Sequence, residues 1–230
     1  MKKPLHTRQS LYSATGASRA LLHRIAIATV IFGLGLALFV AIALAVHLER
    51  ATEFDIAVTT FIQSWRSPEL TVIFKLISDV SGPFVLPLIV IGLLVWAYVR
   101  RLPGKFWFML VALGGSAISN LILKAVFDRA RPDMMTWLIQ ETGLSFPSGH
   151  AMASMSFVLT VIIILWNTRW RRLSIILGAI SVLLVGISRL YLGVHYPTDV
   201  IAGWGVAAAW VFIVLVAWLD VRLHHLSATK

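Results

Sequence analysis

Three short segments carry side chains suited to phosphate chemistry. They read Lys124-Ala-Val-Phe-Asp-Arg-Ala-Arg131-Pro132, Pro147-Ser148-Gly149-His150, and Ser188-Arg189 followed by His195 and Asp199. Lys124, Arg131 and Arg189 are cations, His150 and His195 are imidazoles, Ser148 brings a hydroxyl and Asp199 a carboxylate. Fixed cations offset the charge of a phosphoryl group as it transfers. One histidine can attack phosphorus while another protonates the oxygen that leaves. Ionisable groups within or beside membrane-spanning segments are costly, and their default reading is functional.

Each residue also has a plain structural reading. Lys124 can pair with Asp128 one turn on, or snorkel to a membrane interface, and Arg129 can anchor at that interface. Arg131-Pro132 ends a helix, because proline cannot continue the hydrogen-bond ladder. Two cations seven residues apart at such an end also suit the non-bridging oxygens of a phosphate. Ser148 is a good N-cap, and the helix start behind it favours an anion. Gly149 lets the backbone approach a ligand, and His150 then projects from the first turn. Thr198 or Asp199 can cap the helix that follows them, or Asp199 can fix the tautomer of a histidine. Two histidines and a carboxylate could hold zinc. Three neighbouring cations would repel a metal and already supply its electrostatic role, so no metal and no cofactor is expected. His47 reads as interfacial, and His6, His23, His224 and His225 fall at the other membrane side.

These segments must be positioned by membrane helices. The chain of 230 residues is 59% hydrophobic and 13% charged, against about 25% charged in a soluble domain. A span takes about 20 apolar residues. Residues 25–47, 84–99, 106–123, 151–166, 173–187 and 200–219 predict six transmembrane helices in an all-α bundle, the shorter runs continuing into polar flanks. Residues 1–24 form a basic tail and 25–230 one membrane domain. The first run exceeds the core of a signal peptide, so it is expected to be retained. With no cysteine, disulfides and thiolate metal sites are excluded.

The net charge of +10 does not indicate a nucleic-acid partner, because its distribution is that of a membrane protein. Thirteen of the 20 basic residues, and one acidic residue, fall in the two tails and the second and fourth loops. The alternate loops carry seven basic and nine acidic residues. This positive-inside pattern puts both termini in the cytoplasm and predicts that the basic N-terminal arm touches anionic lipid. By parity, the phosphate-handling segments then share the outer surface, which one active site requires. In the connection 48–83, Phe54, Val58, Phe61, Ile62 and Trp65 keep helical spacing, as do Leu70, Ile73, Phe74 and Ile77. They predict two short amphipathic helices on the outer membrane surface, serving as a lid or lipid-entry wall, or simply packing on helix ends. Gly114, Gly115, Ser116 and Ser119, and Gly203 with Ala207, suit close helix contact.

In order and spacing the three segments resemble the type 2 phosphatidic acid phosphatase superfamily: Lys-x6-Arg-Pro, Pro-Ser-Gly-His, and Ser-Arg-x5-His-x3-Asp. Lys124, Arg131, Pro132, Pro147, Ser148, Gly149, His150, Ser188, Arg189, His195 and Asp199 fill every position of that pattern. The resemblance covers 124–199, and the six-span layout extends it. It implies a membrane enzyme that dephosphorylates a lipid without metal. His195 would attack phosphorus and form a phosphohistidine, oriented by Asp199. His150 would protonate the leaving oxygen and then activate water. Lys124, Arg131, Arg189, Ser148 and the Gly149 amide would bind the phosphoryl oxygens. Substrates in the bacterial branch include phosphatidylglycerol phosphate, phosphatidate and undecaprenyl diphosphate, and an outward-facing site in the cytoplasmic membrane suits the last. The alternatives are a lipid phosphotransferase on the same scaffold, and a non-catalytic lipid-phosphate binder or transporter. The superfamily's vanadium haloperoxidases share a similar anion site, but the membrane spans argue against that reading.

Overall fold

A computed structural model describes residues 6–132 and 136–228, with side chains from 19 to 221. Every regular element among these residues is helical: α1 His6–His47, α2 Thr52–Gln63, α3 Pro68–Val80, α4 Val85–Val99, α5 Pro103–Met109, α6 Gly115–Phe127, α7 Gly149–Leu165, α8 Arg171–Tyr191 and α9 Pro197–Ala228. A π-helical turn, Leu110–Gly114, joins α5 to α6 without a break. α1 begins at His6 and so carries helix through most of the expected tail; residues 1–5 lie outside the described residues.

Among the described residues, five stretches are long and apolar enough to cross a membrane: Arg19–His47, Pro68–Val99, Pro103–Phe127, Arg171–Tyr191 and Pro197–Val221. α7, the remaining expected span, is apolar but has 17 residues. The second stretch contains both α3 and α4, which part at Ser81-Gly82-Pro83-Phe84.

α9 is the axis of the bundle. α1 lies along it with the two backbones nearly touching, since a Cβ on Gly35 would stand 2.8 Å from the Gly205 carbonyl oxygen. Gly115 leaves the space that the Trp210 ring fills; a Cβ there would meet the ring at 2.1 Å. Trp210 Nε1 donates to the Val111 carbonyl in the π turn. α7 packs beside α9, α8 packs on α7, and α4 stands at the edge with only Ala97 buried.

α2 and α3 form in the first connection as expected, but their packed faces differ from the apolar stripes that predicted them. α2 buries Asp55, Thr59 and Ile62, whereas Phe54, Phe61 and Trp65 are exposed. α3 buries Phe74 and Ser78, whereas Leu70 and Ile73 are exposed. In a membrane protein an apolar stripe can face lipid, so periodicity finds the helix without showing which face meets protein.

Candidate active site

The three segments meet at one end of the bundle: the C-terminus of α6, the N-terminus of α7, and the turn between α8 and α9. Ser148 caps α7, its Oγ accepting from Ala151 N at 3.4 Å. Its own N–H donates to the Asp199 carbonyl at 3.0 Å, which ties the second segment to the third. Gly149 packs against Asn120, whose Oδ1 would lie 3.1 Å from an added Cβ. Asn120 Nδ2 in turn donates to the Pro147 carbonyl.

Gly193 turns the chain out of α8 at φ +81°, a region that favours glycine, and a Cβ there would crowd the Thr136 carbonyl oxygen at 2.9 Å. Arg66, between α2 and α3, holds the same corner by donating to the Tyr191 carbonyl from Nε at 3.0 Å and NH2 at 2.8 Å. The turn carries His195 into the bundle, where it is 1% exposed. Its Nδ1 lies 3.3 Å from Asp199 Oδ2 and 3.3 Å from Ser145 Oγ, and its Nε2 lies 3.2 Å from Arg131 NH1. Asp199 Oδ2 also accepts from the Ser145 hydroxyl and from Tyr196 N. Since Arg131 can only donate, this arrangement places the imidazole hydrogen on Nδ1 and the lone pair on Nε2. Burial, with the charges of Arg189 and Arg131, pushes the pKa of His195 down to about 4 against the opposing pull of Asp199. The ring is therefore neutral at physiological pH.

Arg131 is held by the carbonyls of Gly143, Val194 and Thr142. Arg189, fully buried at the end of α8, donates to Ser78 on α3 and to Glu141. Glu141 also lies 3.5 Å from Arg131, so one carboxylate bridges two of the cations expected to grip phosphate. Lys124 donates to the Leu144 carbonyl. Of its two structural readings, the pairing with Asp128 is therefore not formed; Asp128 ends α6 in a left-handed conformation. Arg129 is no interface anchor: it pairs with the buried carboxylates of Asp55 and Asp199. Asp199 accepts from Tyr196 N at the start of α9, as a capping carboxylate does, whereas Thr198 itself is held from another helix. Asp55 of α2 accepts from Thr198 N at 3.0 Å, and Asp199 turns toward His195.

Lys124, Arg131, Gly149, His150 and His195 line one cavity of about 550 Å³. Beyond them it becomes an apolar groove between α4, at Leu86, Val90 and Leu94, and α6 with its π turn, at Leu113, Ala117 and Leu121. Arg189 reaches this cavity through Glu141, which lines it, and Ser148 precedes the lining Gly149; neither Ser148 nor Arg189 lines the cavity itself. Ser78, Glu141, Ser145 and Asp55 escaped the sequence reading, which took Arg129 only for an interface anchor. Asp55 is one of several polar residues in α2, beside Glu53, so nothing local set it apart.

Residues 105–222 match the model of the PAP2 superfamily. Phosphatidylglycerophosphatase B of Bacillus subtilis is 32% identical over 183 residues, covering 76% of this chain and 89% of that protein. The undecaprenyl-diphosphatase of Sulfolobus acidocaldarius is 35% identical over 97 residues, covering 41% of this chain and 42% of that protein. The crystal structure of a transmembrane PAP2-type phosphatidylglycerolphosphate phosphatase from Bacillus subtilis superposes with a TM-score of 0.70 at 29% identity, over 79% of this chain and 94% of that one. The chain belongs to the PAP2 superfamily. Within it, this is an integral-membrane lipid phosphatase.

Proposed function

We propose that the protein removes phosphate from a membrane lipid phosphate or diphosphate through a phosphohistidine on His195, without a metal. The observation that carries this reading is one cavity with His195, His150 and two cations at one end and an apolar groove along the rest. Such a shape takes a charged head and a hydrocarbon tail together. His195 Nε2 attacks phosphorus and the bond from phosphorus to the lipid oxygen breaks, that oxygen taking a proton from His150. Water, deprotonated by His150, then attacks phosphorus; the P–N bond breaks and phosphate leaves. Asp199 holds the Nδ1 hydrogen through both steps. Lys124, Arg131 and Arg189, with Ser148 and the Gly149 amide, bind the phosphoryl oxygens. Glu141, which bridges Arg131 and Arg189, gives way to the phosphate.

The relatives act by name on phosphatidylglycerophosphate and undecaprenyl diphosphate. We assign this chain the same class of substrate, with phosphatidate as a third member. Purified protein turned over on all three lipids, with released phosphate measured, tests the reading. No release from any of them would refute it, and a phosphorylated second lipid in place of free phosphate would select a phosphotransferase.

Metal-free chemistry is supported by the three cations, which supply the charge a metal would otherwise bring. EDTA is expected to leave turnover nearly intact. Vanadate, which adopts a five-coordinate form resembling the transition state, is expected to inhibit strongly. Loss of turnover in EDTA, restored by a divalent ion, would overturn the metal-free mechanism.

The same proposal places the site on the outer face of the cytoplasmic membrane, with both termini inside. The loop charges support it. At the end opposite the site, Arg169 lies over Trp170, Arg171 over Trp166 and Lys105 over Trp96, as aromatic and basic anchors do at an interface. A reporter fused to the C-terminus is expected to be active only if it works in the cytoplasm. Activity of a reporter confined to the exterior would reverse the topology.

A further inference from the structure

Arg129 has no part in the chemistry above, yet it sits between two buried carboxylates. Its NH1 donates to Asp199 Oδ1 at 2.6 Å and to Thr198 Oγ1 at 2.8 Å, and its NH2 donates to Asp55 Oδ2 at 2.8 Å. The guanidinium lies over the Tyr196 ring, 4.2 Å from its centre. Asp55 also accepts from Thr198 N at 3.0 Å and Thr198 Oγ1 at 2.7 Å, so it caps α9 from another helix. Asp55 and Asp199 are 0% exposed and Thr198 is 2% exposed. Taking such charges out of water is expensive unless they are well paired.

The two oxygens of Asp199 have separate duties. Oδ2 receives Ser145, Tyr196 N and the His195 ring, whereas Oδ1 receives Arg129. Arg129 thus decides which oxygen faces His195, and it takes up part of the carboxylate's charge. Asp55 fixes Arg129 and shares that charge from the far side. We infer that Arg129 and Asp55 are positioning residues for the proposed phosphohistidine reaction, setting the orientation and effective charge of Asp199 and, through it, of His195. The inference rests on the assignment of His195 as nucleophile. It also gives α2, in the first outer connection, a part in the reaction centre.

The charged groups around His195 are Asp199 on its Nδ1 side, Arg131 on its Nε2 side, and Arg189, Lys124, Glu141 and His150 about the cavity. His195 must be neutral to attack. The acid limb of kcat/KM is therefore expected near the pKa of His195, about 4. Without the charge of Arg129, Asp199 attracts the protonated ring more strongly. The pKa rises, and activity is lost at a higher pH. Without the charge of Asp55, Arg129 is left wholly to Asp199, and the limb cannot rise.

The test compares Arg129→Gln, Arg129→Lys, Asp55→Asn and His195→Ala in the full chain, purified into lipid nanodiscs. It measures kcat, KM, the pH profile and the thermal midpoint. Arg129→Gln is expected to lose about tenfold to a hundredfold in kcat with little change in KM. Its acid limb is expected to move up by about one unit. Arg129→Lys should restore the limb, and Asp55→Asn should lose kcat with no upward shift. An unmoved limb in Arg129→Gln, or losses that follow only the thermal midpoint, would overturn the inference. If Arg129→Gln does not fold, an upward shift in Asp55→Asn or a displaced limb in Arg129→Lys would overturn it instead. Turnover by His195→Ala would defeat the underlying reaction. A dead His195→Ala beside an unchanged Arg129→Gln would defeat this inference alone.

Discussion

His195→Ala is expected to abolish phosphate release from every lipid substrate, with a loss of about 10⁶-fold, as when a catalytic nucleophile is removed elsewhere. The size follows from what the ring does. Its Nε2 lone pair points toward Arg131 and the cavity, while its Nδ1 hydrogen is taken up on the Asp199 side. An alanine leaves no atom there to form the bond to phosphorus, and the nearby Ser145 hydroxyl is engaged by Asp199. Stopped-turnover experiments on labelled lipid should trap a phosphoenzyme in the parent and none in the variant. The thermal midpoint must be followed as well, because His195 is buried and its loss leaves a small cavity. A folded His195→Ala variant that still turns over would refute the nucleophile assignment.

His150→Ala is expected to lose activity by an amount set by the leaving group. General acid catalysis contributes about 10²–10⁴-fold. The full factor is expected on phosphatidate, whose leaving alkoxide is strongly basic and needs a proton. Undecaprenyl diphosphate releases a phosphate oxygen, which is far less basic and can depart without one. The loss there should be smaller for bond breaking. If His150 also activates the water of the second step, the labelled phosphoenzyme should accumulate with the diphosphate. The position permits both duties: His150 stands in the first turn of α7 and lines the same cavity as His195 and Lys124. Equal losses on the two lipids, with no trapped phosphoenzyme, would reduce His150 to a phosphate-binding residue.

The elements that form locally were legible in the residues. Ser148 before an apolar run makes an N-cap, and it caps α7. Apolar runs make long helices, and helical spacing in the first connection makes α2 and α3. The motif spacing put Lys124, His150, Arg189, His195 and Asp199 at helix ends, and those ends meet. In each case a residue and its near neighbours suffice, because capping, helix termination and apolar periodicity act within a turn or two.

What the sequence could not disclose is pairing over distance. Asp55 reaches Thr198 across 143 positions, Arg129 reaches Asp199 across 70, and Arg189 reaches Ser78 across 111. No local pattern distinguishes these side chains from interface anchors or caps. Only the packing of α2 and α3 against α8 and α9 brings them together. For the same reason the exposed stripe of Phe54, Phe61 and Trp65 was open to two readings. An apolar face can be buried by protein or by lipid with the same gain, and only the fold decides which.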